Sequence, residues 1–427
     1  MTAQERQGWL VVGSLFVTLF LVFGSGYNTA GVFVIPLVNQ FGWSRAQVSL
    51  LQTALALSAG LVVPLVGWLL DRLEAWLVIA TGAAVTGIGF VLASRAEGFA
   101  PMVSAYVLVG VGLGAATLLP VSLVVANWFG TRRGLALGVT MVGTSTGGLV
   151  MTLVAQRAIE HGGWRDGYLA LAAPVFVIVV PLVAATVRTR PPGGAGSSVA
   201  EAASALPGLE VRAALRARSF WLIALVQFFY SFAAGGTNLH AIAYLRDIGY
   251  SAARAALFMS LVLGIAGAGK LSFGALADRV GGRRALVVNF LACACGMVML
   301  LFAADTAMAG GFLVTYGLTC GAPLTLVPLV MADSLGLKRF GSLAGLAGLF
   351  NIAGAATGPV VAGRIFDRTG SYAPAFGQFA LALLLAAVAT LGCVPLARAG
   401  GDEPRGRGRR ADAGEAAGPC TPPTRPA

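Results

Sequence analysis

Lys270 is the side chain with the most chemistry to offer. It lies inside the apolar stretch 253–278, eight positions before Asp278, and so ~12 Å in from that end of a helix. An ionisable group at such depth is costly and marks a functional site by default. Its ammonium is a point charge with three donors, suited to an anion; the other reading is a lysine hydrogen-bonded within a helix bundle. His240, beside Asn238, sits toward the far end of the stretch 220–245. Its imidazole titrates near neutral pH, which suits proton coupling or gating of a cavity; the alternative is a satisfied structural histidine. Tyr27, Asn28 and Thr29 interrupt the first apolar stretch, and polar groups there must face a cavity or another helix. Tyr27 and Asn28 are expected at a cavity. Gln52, Thr53, Tyr106, Thr117, Tyr316 and Asn351 are similar but weaker candidates, since hydrogen bonding between helices accounts for each of them.

The elements that position these residues follow from composition. Hydrophobic residues make up 57% of the 427 and charged residues 11%, against roughly 25% charged in a soluble domain. Such a surface must face lipid. A bilayer core needs about 20 apolar residues per helix, and the charges and turn residues cut the chain into twelve such stretches. They are 9–38, 46–70, 75–94, 100–128, 134–157, 166–187, 220–245, 253–278, 284–304, 308–333, 340–364 and 374–397. With the N-terminus in the cytoplasm, the inside loops hold more Arg and Lys than the outside loops. The positive-inside rule then places both termini in the cytoplasm. No cleavage site follows the first stretch, which reads as a retained helix. Residues 190–217 form a Pro/Gly/Ala/Ser-rich linker, and 399–427 a disordered cytoplasmic tail attracted to anionic membrane lipid.

Other classes are excluded. The net charge of +12 sits in short clusters between apolar stretches, unlike a nucleic-acid face. Cys293 and Cys295 point to different faces of one helix, no metal-binding spacing occurs, and no disulfide framework is implied. No phosphate-cradling loop or hydrolase motif is present, so no enzyme and no cofactor are expected.

The two halves repeat at one constant spacing. Gly67-x3-Asp71-Arg72 returns as Gly274-x3-Asp278-Arg279, Gly42-Trp43-Ser44 as Gly249-Tyr250-Ser251, and Gly134-x3-Gly138 as Gly341-x3-Gly345. Six helices per half keep the same orientation, a parallel repeat about an axis along the membrane normal, with a solute site expected between the halves. The first half is residues 1–189 and the second 218–398.

The Gly-x3-Asp-Arg pair resembles the signature of the major facilitator superfamily. The second copy is nearly complete, running through Arg279 and Gly281 to Arg283 and Arg284; the first departs from it after Arg72, where Leu73-Glu74-Ala75-Trp76 replaces a basic run. The resemblance implies that these Asp and Arg residues pair between helix ends to hold a gate. Four further segments narrow the branch: Phe41-Gly42-Trp43-Ser44-Arg45, Asn127-Trp128-Phe129 with Arg133-Gly134, His240 through Tyr250, and Gly358-Pro359 through Tyr372. Together they look like the bacterial monocarboxylate transporter and oxalate/formate antiporter branch. The branch commonly places a basic residue, often Arg, where Lys270 stands, to meet a substrate carboxylate. Vertebrate-type members add a lysine in the first helix and a carboxylate one turn before the basic residue. This chain has neither, and Ala266 holds the second position.

The expectation is a monomeric all-α membrane protein of twelve helices in two parallel six-helix repeats. It would move a small organic anion, a monocarboxylate, across the inner membrane by alternating access, with protons or a counter-anion as the coupled species. Substrate-binding candidates are Lys270, Tyr27, Asn28, Asn238, His240, Tyr106, Tyr316 and Asn351; His240 and Lys270 are the proton-coupling candidates. The alternatives are export of an apolar compound and a membrane sensor that binds solute without moving it.

Overall fold

The computed structural model describes residues 3–70, 72–129, 133–190, 208–336 and 338–394. Asp71, the centre of the linker and the tail fall outside them. In lipid, backbone groups must bond within their own segment, which leaves the helix as the spanning form for chains like this. The spans are α1 (Glu5–Phe41), α2 (Arg45–Leu70), α3 (Ala75–Ser94), α4 (Phe99–Trp128), α5 (135–162), α6 (164–186), α7 (Arg218–Asp247), α8 (Ala252–Val280), α9 (Gly282–Leu301), α10 (Thr306–Leu335), α11 (Ser342–Thr369) and α12 (Ala373–Leu391). α5 and α6 run on almost without interruption, parted by the extended, positive-φ backbone of Gly163 (φ 84°). A loop expected over 158–165 is thus a single-residue break. Six spans precede the linker and six follow it.

The repeat has a local physical cause. Gly42 (φ 67°) and Gly249 (φ 104°) stand at equivalent positions, as do Gly163 and Gly370 (φ 70°). A left-handed backbone is cheap for glycine alone, and each of the four ends one span before the next begins. Ser44 and Ser251, two residues after the first pair, then cap α2 and α8 by accepting from the backbone N–H of Gln47 and Arg254. The Gly-aromatic-Ser motif is therefore a stop signal followed by a start signal.

Glu74, which departs from the basic run, has a different task. Its carboxylate accepts from the backbone N–H (3.2 Å) and hydroxyl (2.6 Å) of Thr189, while the Thr189 hydroxyl oxygen accepts from Ala75 N–H at 2.7 Å. These bonds fasten the end of α6 to the start of α3, and they hold the Glu74 carboxyl below its ordinary pKa. In the second half, Glu210 pairs with Lys338 and Arg339, each at 3.0 Å, and Leu209 N–H donates to the Leu335 carbonyl. Residues 209 and 210 of the linker are thereby strapped to the turn between α10 and α11.

The halves meet along three seams: α1 against α7, α2 against α11, and α5 against α8. The last two exchange under the repeat. Along α2 the contacts recur every seven residues on one helix face. The position of Ala46 is pressed against Gly363, the Thr53 hydroxyl donates to the Ala356 carbonyl at 2.6 Å, and Gly60 abuts Ile352. One step further, Gly67 has nothing within 4 Å of where its Cβ would be, and neither has Gly345 on α11. The α5–α8 seam repeats this: Leu149 meets Gly264 and Ser145 meets Gly267, but Gly138 and Gly274 face open space. Both seams are zipped at the end carrying Arg45 and parted at the end carrying Asp278.

Candidate functional site

Between the halves lies a cavity of ≈ 230 Å³. Three helices break beside or near it: α1 at Asn28–Thr29, α4 at Thr117, and α10 at Gly321–Ala322. Broken backbone at membrane depth is tolerated where protein satisfies the freed groups. Here Asn238 of α7 donates to the Tyr27 carbonyl at 2.7 Å, and the Tyr230 hydroxyl donates to the Cys320 carbonyl at 2.7 Å. The Asn28 amide, swung across, donates to the Thr144 carbonyl at 3.1 Å.

Lys270 reaches the cavity from α8, 9% exposed. Its Nζ donates to Thr144 Oγ1 at 2.8 Å and to Ser145 Oγ at 2.9 Å, both on α5 of the opposite half. Among the described residues no Asp, Glu or His lines this cavity, so the ammonium meets hydroxyls and no carboxylate. Of the sequence candidates, Tyr27, Asn28, Asn238, Tyr316 and Asn351 also line it, as does Gln52. Asn351 spends one amide N–H on Gln227, at 3.2 Å.

Two candidates lie elsewhere. Tyr106 is buried within the first half, where its hydroxyl meets that of Tyr168 at 2.8 Å. His240 is fully buried at the Arg45 end. Its Nε2 lies 2.9 Å from both the Pro359 carbonyl and Ser49 Oγ, and its Nδ1 2.8 Å from the Tyr372 hydroxyl. A carbonyl only accepts, so Nε2 carries a proton and Nδ1 accepts from Tyr372. His240 thus knots α7, α11 and the start of α12 to α2 of the other half.

Above that knot the outer contacts are ionic. Arg45 grips Asp247 through two bonds of 2.5 and 2.8 Å, with its guanidinium 3.7 Å from the Phe366 ring centre. Asp367 accepts from the backbone N–H groups of Arg45 and Ala46, both at 3.0 Å. It caps the N-terminus of α2 from the opposite half, where an anion is favoured.

At the other end, Asp71 of the repeated Asp-Arg motif lies outside the described residues. Among the described residues no ion pair involves Arg72, Asp278, Arg279, Arg283 or Arg284. Arg72 stacks over Trp68 at 3.9 Å, and Arg283 donates to the Cys393 carbonyl at 2.9 Å, fastening α9 to the end of α12.

The cavity straddles the repeat axis. Six pairs of lining residues are equivalent between the halves: Phe23 and Tyr230, Tyr27 and Ala234, Asn28 and Gly235, Gln52 and Met259, Ala56 and Leu263, Thr144 and Asn351. Lys270 corresponds to Val63, so the charge has no counterpart.

A twelve-span chain, two parallel repeats and a closed end opposite a parted one describe a known architecture, and the sequence matches the Major Facilitator Superfamily over residues 15–351. The chain belongs to that superfamily. Monocarboxylate transporter 13 of Bos taurus is 27% identical, covering 88% of this chain and 87% of that one. The uncharacterized MFS-type transporter YcxA of Bacillus subtilis (strain 168) is 23% identical, covering 87% and 91%. Among solved structures, a bacterial homologue of the human lysosomal transporter Spinster, inward-facing and unoccupied, superposes with a TM-score of 0.67 at 18% identity, covering 90% and 95%. A variant of the nucleoside transporter NupG gives 0.72 at 14% identity, covering 90% and 99%. At those identities the likeness is one of fold. This superfamily member is a membrane transporter.

Sequence reasoning missed Thr144 and Ser145, which sit among Gly143, Gly147 and Gly148. Those glycines pack closely: the Cβ positions of Gly143 and Gly147 would fall 2.6 and 2.1 Å from the carbonyl oxygens of Phe16 and Phe20 on α1. No signal in the sequence marks the hydroxyls; they sit one helical turn before Gly148, whose added Cβ would meet the Asn28 amide.

Proposed function

We propose that this protein is a secondary active transporter of a small monocarboxylate anion, working by alternating access in the inner membrane with both termini in the cytoplasm. The observation that carries the reading is Lys270, a buried cation in a cavity that no carboxylate lines among the described residues. Such a site attracts an anion and repels a cation. The names of the curated relatives support the same class. On this reading residues 1–189 and 218–398 are the two bodies that rock about the solute, the Arg45 end faces outward, and the conformation described is inward-open. Asn28, Tyr27, Asn238, Tyr316 and Asn351 complete the substrate's surroundings. Proton symport or exchange against a second anion would each keep the cycle electroneutral; Lys270 and His240 are the candidate proton carriers.

The test is uptake of labelled mono- and dicarboxylates into proteoliposomes, with and without an inward proton gradient, and with and without a preloaded anion. Gradient-driven accumulation indicates symport, and flux confined to preloaded vesicles indicates exchange. If no carboxylate moves, the substrate class is wrong; flux of apolar compounds instead would point to an exporter. Lys270→Gln should insert normally and lose carboxylate binding. Unchanged affinity in that variant would remove the anion-site reading.

A further inference from the structure

Resting on that reading, we propose that Ser145 is the second donor of the carboxylate site, so that the anion is held by one group from each half of the molecule. A lone ammonium lacks the parallel pair of donors that an arginine offers a carboxylate. The two hydroxyls bonded to Lys270 differ in what they have left to give. Thr144 accepts from Lys270 and donates its own proton to the Met141 carbonyl at 2.8 Å. Ser145 accepts from Lys270 at 2.9 Å, and its O–H has no acceptor among the described residues. Ser145 is 4% exposed and lines the cavity. Its donor is therefore buried, unspent and hydrogen-bonded to a cation, which polarises the O–H toward an acceptor. Lys270 has likewise used two of its three N–H donors. The remaining N–H and the Ser145 O–H together offer a carboxylate two adjacent donors.

Ser145 stands on α5 and Lys270 on α8, at the seam where Ser145 also packs beside Gly267. An anion bound to both bridges the two bodies. Its affinity is then sensitive to the seam's geometry, which supplies coupling between occupancy and rocking.

The experiment uses the purified full-length protein and measures binding calorimetrically, with acetate, propionate, pyruvate and benzoate as probes. Wild type, Ser145→Ala, Ser145→Thr and Lys270→Gln are compared. A hydrogen bond to a charged group is worth enough to change affinity about tenfold or more. Ser145→Ala is expected to weaken carboxylate binding by at least that factor, and Ser145→Thr, which keeps the hydroxyl, to recover it. Should Ser145→Ala bind as wild type while Lys270→Gln does not, the second donor is refuted and the anion site stands. An equal loss in Ser145→Ala and Ser145→Thr would also refute it, since that pattern reports packing. If wild type binds none of the four probes, both readings fall.

Discussion

Arg45 and Asp247 join the two halves of the molecule through a two-pronged ion pair, 2.5 and 2.8 Å long, at the end where both main seams are zipped. Its side chains are 13% and 31% exposed, and aromatic rings shield the guanidinium on one face. Partial shielding makes such a pair stronger than an ordinary surface pair, whose worth is ~0–1 kcal/mol. Arg45→Ala should shift the population toward opening at this end. Cys320 lines the cavity and serves as a reporter. A membrane-impermeant thiol reagent applied from the Arg45 side should label it several times faster in the variant, and an unchanged rate would show that the pair does not hold the gate.

The parted seams predict a trap. Gly67 and Gly345 face open space in this state but, on the alternating-access proposal, lie on faces that meet when the Asp278 end closes. Gly67→Leu or Gly345→Leu should leave stability and carboxylate affinity within about threefold of wild type here, at roughly 0.7 kcal/mol or less. Uptake in proteoliposomes should fall at least tenfold. Normal uptake would mean that these faces never approach. Gly147→Val is the contrast, since its added carbons collide with Phe20 backbone. That overpacking should cost about 1–3 kcal/mol, read as a lowered Tm.

His240→Ala should separate structure from binding. The substitution leaves the Pro359 carbonyl and Tyr372 hydroxyl without their buried partner, at a cost of roughly 1–3 kcal/mol. A drop in Tm with carboxylate affinity retained is expected, because the ring does not line the cavity. Loss of affinity with an unchanged Tm would place His240 back among the ligands.

Glu74 gives a pH dependence outside the membrane. Its carboxyl is held below its ordinary value of 4.5, chiefly by the Thr189 hydroxyl and then by the Thr189 backbone N–H. A depressed carboxyl contributes stability that is present above the unfolded value and lost as pH falls through the folded one. The difference in Tm between wild type and Glu74→Gln should be constant from pH 7 to about pH 5 and shrink below it. A gap that persists at pH 3 would mean the bond survives protonation.

Much of the fold was legible because the solvent is lipid. Apolar runs had to be helices, and the charges at their ends had to be loops. The paired glycines and serines at the turns made the repeat visible as well. The breaks at Asn28 and Gly321 were not legible, because a helix break in a membrane depends on partners from other helices, here Asn238 and Tyr230. The cavity candidates divide along the same line. Lys270 stood out as a charge that lipid forbids. Tyr106 and His240 looked equally polar in sequence, yet each is satisfied by a neighbour distant along the chain: Tyr168 for one, Pro359 and Tyr372 for the other. Ser145 was hidden for the opposite reason, being small and ordinary until Lys270 is set against it.

The unlike walls of the cavity have a directional consequence. Tyr27 looks across at Ala234 and Gln52 at Met259, and Val63 stands where a second lysine would be. A solute turned end for end about the repeat axis would meet a different surface. On the proposed reading it has one heading, with its charged end at the α5–α8 seam beside Lys270, and would keep that heading while the opening passes from one face of the membrane to the other.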